Sequence, residues 1–348
     1  MEANYSKAEL NLKRFARHFL LPGFTHGHQV RLHQSRIAIV GMGGLGNTVA
    51  QCLASAGVGG MSIIDFDVVE ESNLARQFLF NESDLGNSKA DSACRKLSAA
   101  FPGVKFLPRH EKLDQENREK LLAHHDLIVD CCDQPASKYD IDEAAASLRI
   151  PVVFGAVNQF EGQVAVFHGK RKSTYSHTFS RATGSQPADD CNTMGVWSPA
   201  VGIVGNMMAQ EALNMLTFGN SKLDGFLLNI QLSNYESHLF KLGDFDDSQD
   251  VANEKGPNST RSISANEVAQ LQALHETTRI IFIVNEEDNN LTYDGGTRMS
   301  LDELMWSHKD WDKESPIVLT CKSGMKSMQA ALILAGEGFT RVYYVRAQ

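Results

Sequence analysis

The chain has 348 residues, of which 42% are hydrophobic and 22% charged, a composition typical of a soluble globular protein with about two domains. Its formal net charge of −9 argues against general affinity for nucleic acid or for an anionic membrane surface. No apolar run approaches the roughly 18 residues of a membrane span, and the first residues are too polar for a signal peptide. Six cysteines without paired spacing favour reduced thiols in a cytoplasm.

The first part of the chain alternates predicted strands with helical segments. A buried strand at 36–40 leads through a glycine-rich turn into a helix at 47–56, and a longer apolar helix is predicted at 201–218. Further strands are predicted at 61–65, 104–107, 126–130, 151–154 and 162–167. This alternation predicts a doubly wound α/β domain with a Rossmann-like, mostly parallel sheet over residues 1–243.

A polar, acidic stretch at 244–260 predicts a linker to a second, smaller α/β domain over residues 261–348. Its strands are predicted at 279–284, 317–319 and 342–345. Cys321 follows the second of these strands and precedes a helical stretch, so its thiol is expected on a strand-to-helix loop. Backbone N–H groups and a helix N-terminus at such a loop stabilise a thiolate or persulfide anion.

The glycine-rich turn Gly41-Met-Gly-Gly-Leu-Gly46, which includes Gly44, has the pattern of a nucleotide-binding loop. Gly41 permits the tight turn, Gly43 lets a phosphate approach the backbone, and the dipole of the following helix faces the anion. Asp65, at the end of the next predicted strand, is a candidate ligand of ribose hydroxyls. The turn alone does not separate a dinucleotide from ATP, but the absence of Gly-Lys-Ser/Thr excludes a P-loop.

Other polar residues follow in a fixed order along the chain. They are Arg14-Phe-Ala-Arg17-His18, Asp65-Phe-Asp67, Ser72-Asn73 with Arg76-Gln77, Lys89, Asp130-Cys-Cys-Asp133, Cys191-Asn-Thr-Met-Gly195 and Glu211-Ala-Leu213. Together with the glycine turn, these segments resemble the MoeB/ThiF family in family order over residues 11–240. The members of that family are relatives of the ubiquitin-activating enzymes and adenylate the C-terminal glycine of ubiquitin-like proteins.

The resemblance implies an ATP site with Mg²⁺. Arg76 and Lys89 would hold the phosphates and Asn73 would help to position the triphosphate, while Asp133 would hold the metal ion. Neutralised charge at the phosphates is what attack of a carboxylate on the α-phosphate requires.

Two further nucleotide contacts are implied by the same resemblance. Asp67 belongs to the segment that follows the ribose ligand Asp65. In family homodimers an N-terminal arginine reaches the triphosphate in the partner's site, and Arg17 is the matching position here.

The chain departs from the family pattern in two places. Asp133-Gln-Pro-Ala-Ser-Lys138 stands where members usually have Asp-Asn-x-x-x-Arg, which keeps a charge but loses the forked guanidinium. Most relatives also carry two Cys-x-x-Cys pairs for structural zinc, whereas the first region reads Thr174-Tyr-Ser-His177 here. Since zinc in such sites needs four N or S ligands, we predict that the chain has no zinc site.

Two cysteines are candidates for sulfur chemistry. Cys191 lies at the family's crossover-loop cysteine, which in ThiF-like relatives can link covalently to the carrier, and an inert buried thiol is the alternative. Cys321 resembles the active cysteine of rhodanese domains, Cys-x-x-Gly-x-Lys/Arg-Ser, with Gly324 and Ser327 in place. The usual Asp-Val-Arg segment of those domains reads Val284-Asn-Glu here.

The sequence therefore predicts adenylation of a ubiquitin-like sulfur carrier ending in Gly-Gly, followed by sulfur transfer through Cys321 from a donor such as a cysteine desulfurase. The pathway would be thiamine or molybdopterin cofactor synthesis, and the residues after Cys191 favour the thiamine carrier. Three alternatives remain: an adenylating tRNA-modifying relative, an adenylyltransferase with a non-catalytic rhodanese-like module, and an NAD-dependent oxidoreductase. Arg76, Lys89 and Asp133 argue against the last.

Overall fold

The computed structural model describes residues 13–167, 174–179, 195–242, 261–263, 265–275, 277–284, 296–300, 303–304, 307–321 and 325–345. The chain divides into two compact units. The first comprises Met1–Tyr175 and Asp189–Asp244, and the second comprises Ser176–Ala188 and Phe245–Gln348. The linker predicted at 244–260 lies outside the described residues.

The first unit contains an eight-stranded sheet with the order β3-β2-β1-β4-β5-β6-β7-β8. Its strands are β1 (Arg36–Val40), β2 (Gly60–Ile64), β3 (Lys105–Arg109), β4 (Leu127–Asp130), β5 (Val152–Asn158), β6 (Glu161–Phe167), β7 (Phe226–Gln231) and β8 (Glu236–Lys241). Strands β1 to β5 pair in parallel, and β5 to β8 pair antiparallel. The predicted doubly wound, mostly parallel α/β fold is confirmed, and β7 and β8 are additions that the sequence analysis lacked.

Seven helices accompany these strands within the described residues up to 242. They are α1 (His26–Gln34), α2 (Gly44–Ala56), α3 (Lys89–Ala100), α4 (Arg118–Leu122), α5 (Pro135–Leu148), α6 (Tyr175–Thr178) and α7 (Ser198–Phe218). Helix α2 begins directly within the glycine turn rather than at residue 47 as predicted. Helix α7 likewise begins earlier than predicted, with a proline in its first turn, where the missing N–H is not needed.

The core of the first unit lies between the sheet and helices α2 and α7. Ile37 and Ile39 of β1 are fully buried, as are Leu53 of α2 and Val204 of α7. A side chain at Gly205 would come within 2.7 Å of Thr48 Cβ, so α2 and α7 can approach closely only because that position has no side chain. Among the described residues, no helix combines the length and the apolar character needed to cross a membrane.

The second unit contains a five-stranded parallel sheet with the order β11-β10-β12-β13-β9. Its elements are β9 (Arg261–Ile263), α8 (Ala265–Leu274), β10 (Arg279–Ile283), β11 (Thr297–Met299), β12 (Ile317–Thr320), α9 (Met325–Gly336) and β13 (Val342–Val345). Val318, Leu334 and Phe339 lie in its core. A second, smaller α/β unit is thus present, with β9 and β11 in addition to the predicted strands.

Candidate functional site

The candidate site lies at the carboxyl ends of three neighbouring strands of the first unit. Val40, at the end of β1, is in register with Ile64 of β2 on one side and with Asp130 of β4 on the other. The chain leaves β1 toward β2 and later returns on the opposite side as β4. Ligands of open α/β sheets bind outside the carboxyl ends of the strands at such a switch point.

The glycine turn after β1 leaves the first turn of α2 open. Gly41 has φ 91°, and its N–H donates to the Ile64 carbonyl at 2.9 Å. Gly43 is the N-cap of α2 and provides no side-chain cap, and a side chain there would meet only Gln77 Nε2, 4.0 Å away. Uncapped amides at a helix N-terminus form a binding site for an anion such as a phosphate group.

Asp65 fixes this turn to the end of β2. It is 8% exposed, and the N–H groups of Met42 and Asp67 donate to its two carboxylate oxygens at 2.6 and 2.8 Å. Burial raises the pKa of Asp65, and the two hydrogen bonds and the charge of Lys89 oppose that shift. Each carboxylate oxygen can accept a second hydrogen bond, so a ribose hydroxyl can still bind.

Lys89 forms an ion pair with Asp67. Its Nζ lies 3.0 Å from Asp67 Oδ2, and the side chain of Lys89 is 8% exposed whereas that of Asp67 is 49% exposed. Lys89 is the first residue of α3, and its N–H also donates to the Asp67 carbonyl. The cation is therefore held in place at the strand ends by a carboxylate that can turn toward solvent.

Arg76 and Asn73 lie in the segment between β2 and α3 and differ in their surroundings. Arg76 is half-buried, and its Nη1 donates to the Ser72 carbonyl at 3.1 Å. Asn73 is buried, and its amide group accepts from the Glu70 N–H and donates to Ser72 Oγ. Asn73 thus stabilises the turn that carries Arg76, a role that its sequence position did not reveal.

Asn47 and Gln77 are two buried polar residues to which the sequence analysis assigned no separate role. Asn47, on α2, donates to the Met42 carbonyl and accepts from the Leu79 N–H, so it joins the glycine turn to the segment that carries Arg76. Gln77 is 2% exposed, and its Oε1 has no hydrogen-bond partner. The sequence hinted at these two residues only through their neighbours, because Asn47 directly follows the glycine turn and Gln77 directly follows Arg76.

The turn after β4 brings Asp133 to the same edge of the sheet. Asp133 is exposed and lies just before α5, while Asp130 is 2% exposed and accepts from the Cys132 N–H and from Lys138 Nζ. Burial raises the pKa of the thiols of Cys131 and Cys132 well above the usual range, so both stay uncharged at neutral pH. Neither thiol is suited to act as a nucleophile.

The residues at this turn fit Mg²⁺ delivered with a nucleotide. Mg²⁺ usually takes one or two protein carboxylates and completes its shell with water and phosphate oxygens, and Asp133 offers one exposed carboxylate. No group of three His, Cys, Asp or Glu residues gathers to hold a metal ion in the part of the chain that the structure describes. A metal ion at Asp133 would therefore depend on oxygens of the substrate.

The remaining predicted residues belong to segments of the chain other than the three that follow β1, β2 and β4. Arg17 is exposed in the segment before α1. In the region matched to the family's zinc ligands, Tyr175 packs against the rings of Tyr139 and Phe154, and His177 is exposed. The absence of zinc stays a prediction. Cys191 lies outside the described residues.

In the second unit, Cys321 lies between β12 and α9. The Ser327 N–H donates to Cys321 Sγ at 3.2 Å, and Ser327 Oγ lies 3.4 Å from the same sulfur. Ser327 is fully buried, and its hydroxyl also lies 3.5 Å from the Val345 carbonyl of β13. The half-buried sulfur thus receives an N–H from the first turn of α9, while residues 322–324 of its loop lie outside the described residues.

Comparison with known proteins gives one family match and several relatives. The model of the ThiF family matches residues 15–251. The molybdopterin-synthase adenylyltransferase of Escherichia coli is 36% identical over 209 residues, which cover 60% of this chain and 84% of that protein. The sulfur carrier protein adenylyltransferase of Thermus thermophilus is 38% identical over 229 residues, which cover 64% of this chain and 84% of that protein.

A third relative is the adenylyltransferase and sulfurtransferase of Xenopus laevis, 32% identical over 218 residues that cover 63% of this chain and 48% of that protein. Among solved structures, Escherichia coli MccB with ATP has a TM-score of 0.58 at 18% identity, over 70% of this chain and 74% of that one. PaaA has a TM-score of 0.57 at 23% identity, over 70% and 78% of the two chains. At these identities the structures support the fold alone, whereas the family model covers more than half of the sequence. The chain belongs to the ThiF family.

Proposed function

We propose that the first unit adenylates the C-terminal glycine of a ubiquitin-like sulfur carrier, using ATP and Mg²⁺. The observation that carries the proposal is the convergence of three segments on one edge of the sheet. These are the glycine turn after β1, the Asp65–Lys89 segment after β2 and the Asp133 turn after β4. Relatives named for adenylation of molybdopterin synthase and of a sulfur carrier protein support the same reaction.

In the proposed reaction, the carboxylate of the carrier attacks the α-phosphate of ATP. A carbonyl–oxygen–phosphorus link forms, the bond to the β-phosphate breaks, and pyrophosphate leaves. The open first turn of α2 would receive phosphate oxygens, and Asp65 would accept a ribose hydroxyl. Lys89 and Arg76 would offset the negative charge that develops at the phosphates. Mg²⁺ held by Asp133 would supply further charge neutralisation on the leaving pyrophosphate.

Lys89 must exchange partners for this role. In the free protein its ammonium is satisfied by Asp67, whose carboxylate is half exposed. A triphosphate carries more negative charge than one carboxylate, so the ammonium would turn to the phosphates while Asp67 is released to water. Because the Lys89 side chain is already buried and paired with Asp67, little further side-chain entropy is lost in the exchange.

We further propose that the second unit is rhodanese-like and transfers sulfur through Cys321. A sulfur donor such as a cysteine desulfurase would load a persulfide on Cys321, whose sulfur receives the Ser327 N–H. The terminal sulfur would attack the carbonyl of the adenylated carrier, and AMP would leave. A second thiol would then cleave the acyl disulfide, which releases the carrier thiocarboxylate and leaves Cys321 in a disulfide with that thiol.

The assembly implied by this function is a homodimer in the cytoplasm, in which Arg17 of one copy serves the ATP site of the other. The carrier belongs to thiamine or molybdopterin cofactor synthesis, and Cys191 is a candidate for the second thiol. A tRNA-modifying reaction would require a nucleoside carboxylate in place of the carrier glycine.

The test is ATP–pyrophosphate exchange with a panel of purified carriers that end in Gly-Gly. Exchange should appear with at least one carrier, and intact mass should show the adenylated carrier. The same carrier without its last glycine is the matched control and should be inactive. Exchange that requires tRNA and ignores every carrier would replace the proposal with the tRNA-modifying alternative.

A further inference from the structure

Lys138 is a buried cation that is held by partners within the protein. It lies in the first turn of α5 and is 6% exposed. Its Nζ lies 3.2 Å from Asp130 Oδ2 and 3.4 Å from the Gly155 carbonyl, and it lies 4.7 Å from the centroid of the Phe154 ring. Two hydrogen-bond partners and an aromatic ring thus surround the ammonium group, and its burial separates it from a nucleotide in solvent.

Asp130 connects this cation to the turn that carries Asp133. While Oδ2 accepts from Lys138, Oδ1 accepts the Cys132 N–H at 3.0 Å. A buried ion pair adds little stability over a well-packed apolar pair, because both charges lose their hydration. The pair is therefore better explained by what it orients than by the stability it adds.

The turn held by Asp130 packs directly on the glycine turn. The Cys131 N–H donates to the Val40 carbonyl at 2.8 Å, and a side chain at Gly41 would lie 2.7 Å from the Cys131 carbonyl oxygen. The two backbones are thus in contact, and the turn has little freedom on that side. The backbone of residue 132 is held by the Asp130 carboxylate, beside a longer contact of 3.5 Å between Cys132 Sγ and the Val40 carbonyl. Loss of the hydrogen bond to Asp130 would therefore change where the exposed Asp133 carboxylate points.

We infer that Lys138 is a positioning residue: by holding Asp130, it fixes the turn at 131–133 and thereby orients Asp133 toward the metal ion and pyrophosphate of ATP. The orientation of the turn is a property of the protein without ligand, and only its consequence for ATP rests on the proposed function. A single ammonium is sufficient for this role because it has to hold one carboxylate oxygen and one carbonyl, not a planar forked partner.

The experiment compares Lys138→Met with Lys138→Arg and with Arg118→Met. Arg118 also holds α5, through Asp140 and Glu143, but it does not touch the turn, so it controls for general loosening of that helix. In the protein without ligand, amide hydrogen exchange at Cys132 should be about tenfold faster in Lys138→Met and unchanged in Arg118→Met. Lys138→Arg should restore most of the protection.

The second measurement is calorimetric binding of ATP with Mg²⁺ and of ATP without it. Loss of a group that orients a metal ligand typically weakens metal affinity by about tenfold or more. Lys138→Met should therefore weaken Mg²⁺-dependent binding by about tenfold and leave metal-free binding unchanged. If Lys138→Met does not fold, Lys138→Gln, which keeps an amide donor, replaces it in both measurements.

Equal exchange at Cys132 in Lys138→Met and Arg118→Met would overturn the inference. So would faster exchange with unaltered Mg²⁺-dependent binding, because the turn would then not serve the metal ion. Failure of the wild-type protein to adenylate any carrier, with the exchange and binding differences intact, would overturn the proposed function and support the role of Lys138.

Discussion

The two units share one local arrangement, a parallel strand followed by a loop and a helix, but they equip it differently. After β1, the loop is rich in glycine, and the segments that follow the neighbouring strands β2 and β4 add Asp65, Lys89 and Asp133. After β12, a single thiol lies on the loop and receives an N–H from Ser327. In both units the junction between strand and helix supplies backbone N–H groups, and the charges around that junction decide which chemistry it supports.

The largest expected effect is the loss of sulfur transfer without loss of adenylation. Cys321→Ser should abolish persulfide formation from a sulfur donor and stop thiocarboxylate production with that donor, because the hydroxyl cannot carry a second sulfur. ATP–pyrophosphate exchange should stay within about twofold of wild type, since the attacking group is the carboxylate of the carrier.

Cys52→Ser is the matched control for that variant. Cys52 is a half-exposed thiol of α2, and burial raises its pKa, so it is a poor nucleophile. It should leave both activities unchanged. Wild-type thiocarboxylate production by Cys321→Ser would make the second unit a non-catalytic module, which was one of the alternatives left by the sequence.

The second largest effect concerns the charges of the nucleotide junction. Asp133→Ala should lower carrier-dependent exchange by about a hundredfold or more, because a charge positioned for the transition state is lost. The melting temperature should hardly change, since Asp133 is exposed. Asp310→Ala removes an exposed carboxylate of the second unit and serves as the control. Exchange by Asp133→Ala within tenfold of wild type would refute the assigned role.

The Asp133→Ala variant also tests whether two copies of the chain contribute residues to one ATP site. Arg17→Ala should impair exchange as Asp133→Ala does if the arginine of one copy completes the site of the other. Mixed variants would then form hybrid dimers with one intact site, and activity should rise above that of either variant alone. An inactive mixture, with mixed dimers detected by mass, would assign Arg17 to its own copy or to no site.

A smaller effect is expected from the residue that contacts the reactive sulfur. Ser327→Ala keeps the N–H that donates to Cys321 and removes only the hydroxyl beside the sulfur. Persulfide formation should therefore slow by several-fold, about what one neutral hydrogen bond supports, and not disappear. A rate equal to that of Cys321→Ser would mean that the hydroxyl, and not the backbone, controls the sulfur.

Features that depend on particular residue types at a fixed spacing could be predicted from the sequence. The glycine turn, Asp65 and the strand before Cys321 could be predicted because turn chemistry and runs of apolar residues are local signals. Strands β9 and β11 are only three residues long, too short for a periodic pattern to register. Strands β7 and β8 show little alternation in the sequence, because β7 buries Asn229 as well as Leu227 and β8 buries only Phe240 among its six residues.

What the sequence did not reveal is which partner each polar residue takes. Asp130 and Lys138 are separated by a turn and the start of a helix. The amino-acid sequence does not indicate that these two charged side chains form a buried ion pair. The motif likewise did not indicate that the Asn73 amide group bonds to Glu70 and Ser72 of its own turn, and its contact with triphosphate stays a prediction. Hydrogen-bond partners depend on tertiary packing, which a motif with fixed spacing does not encode.

The smallest effect, one of stability, concerns the segment that leads into Lys89. Asp84 is fully buried in that segment, and burial by itself raises the pKa of its carboxyl group. Hydrogen bonds from Lys96, the Asn81 N–H and Arg95 outweigh this effect, so the pKa of Asp84 is lowered. A lowered pKa in the folded state means that the carboxylate stabilises the fold above its unfolded pKa of about 3.9, and that this stabilisation is lost as the pH falls further. Asp84→Asn should cost on the order of 2 kcal/mol at pH 7, typical of hydrogen bonds to a charged group.

The difference between Asp84→Asn and wild type should shrink in urea unfolding as the pH is lowered from 5 to 3, because acid neutralises the wild-type carboxylate. Asp65 works in the opposite direction: its raised pKa means that ionisation opposes folding as the pH rises. The hydrogen bonds of Asp84 thus outweigh the effect of its burial, whereas those of Asp65 at the nucleotide site do not. A constant difference between the variants across this pH range would show that Asp84 stabilises the segment through packing and not through its charge.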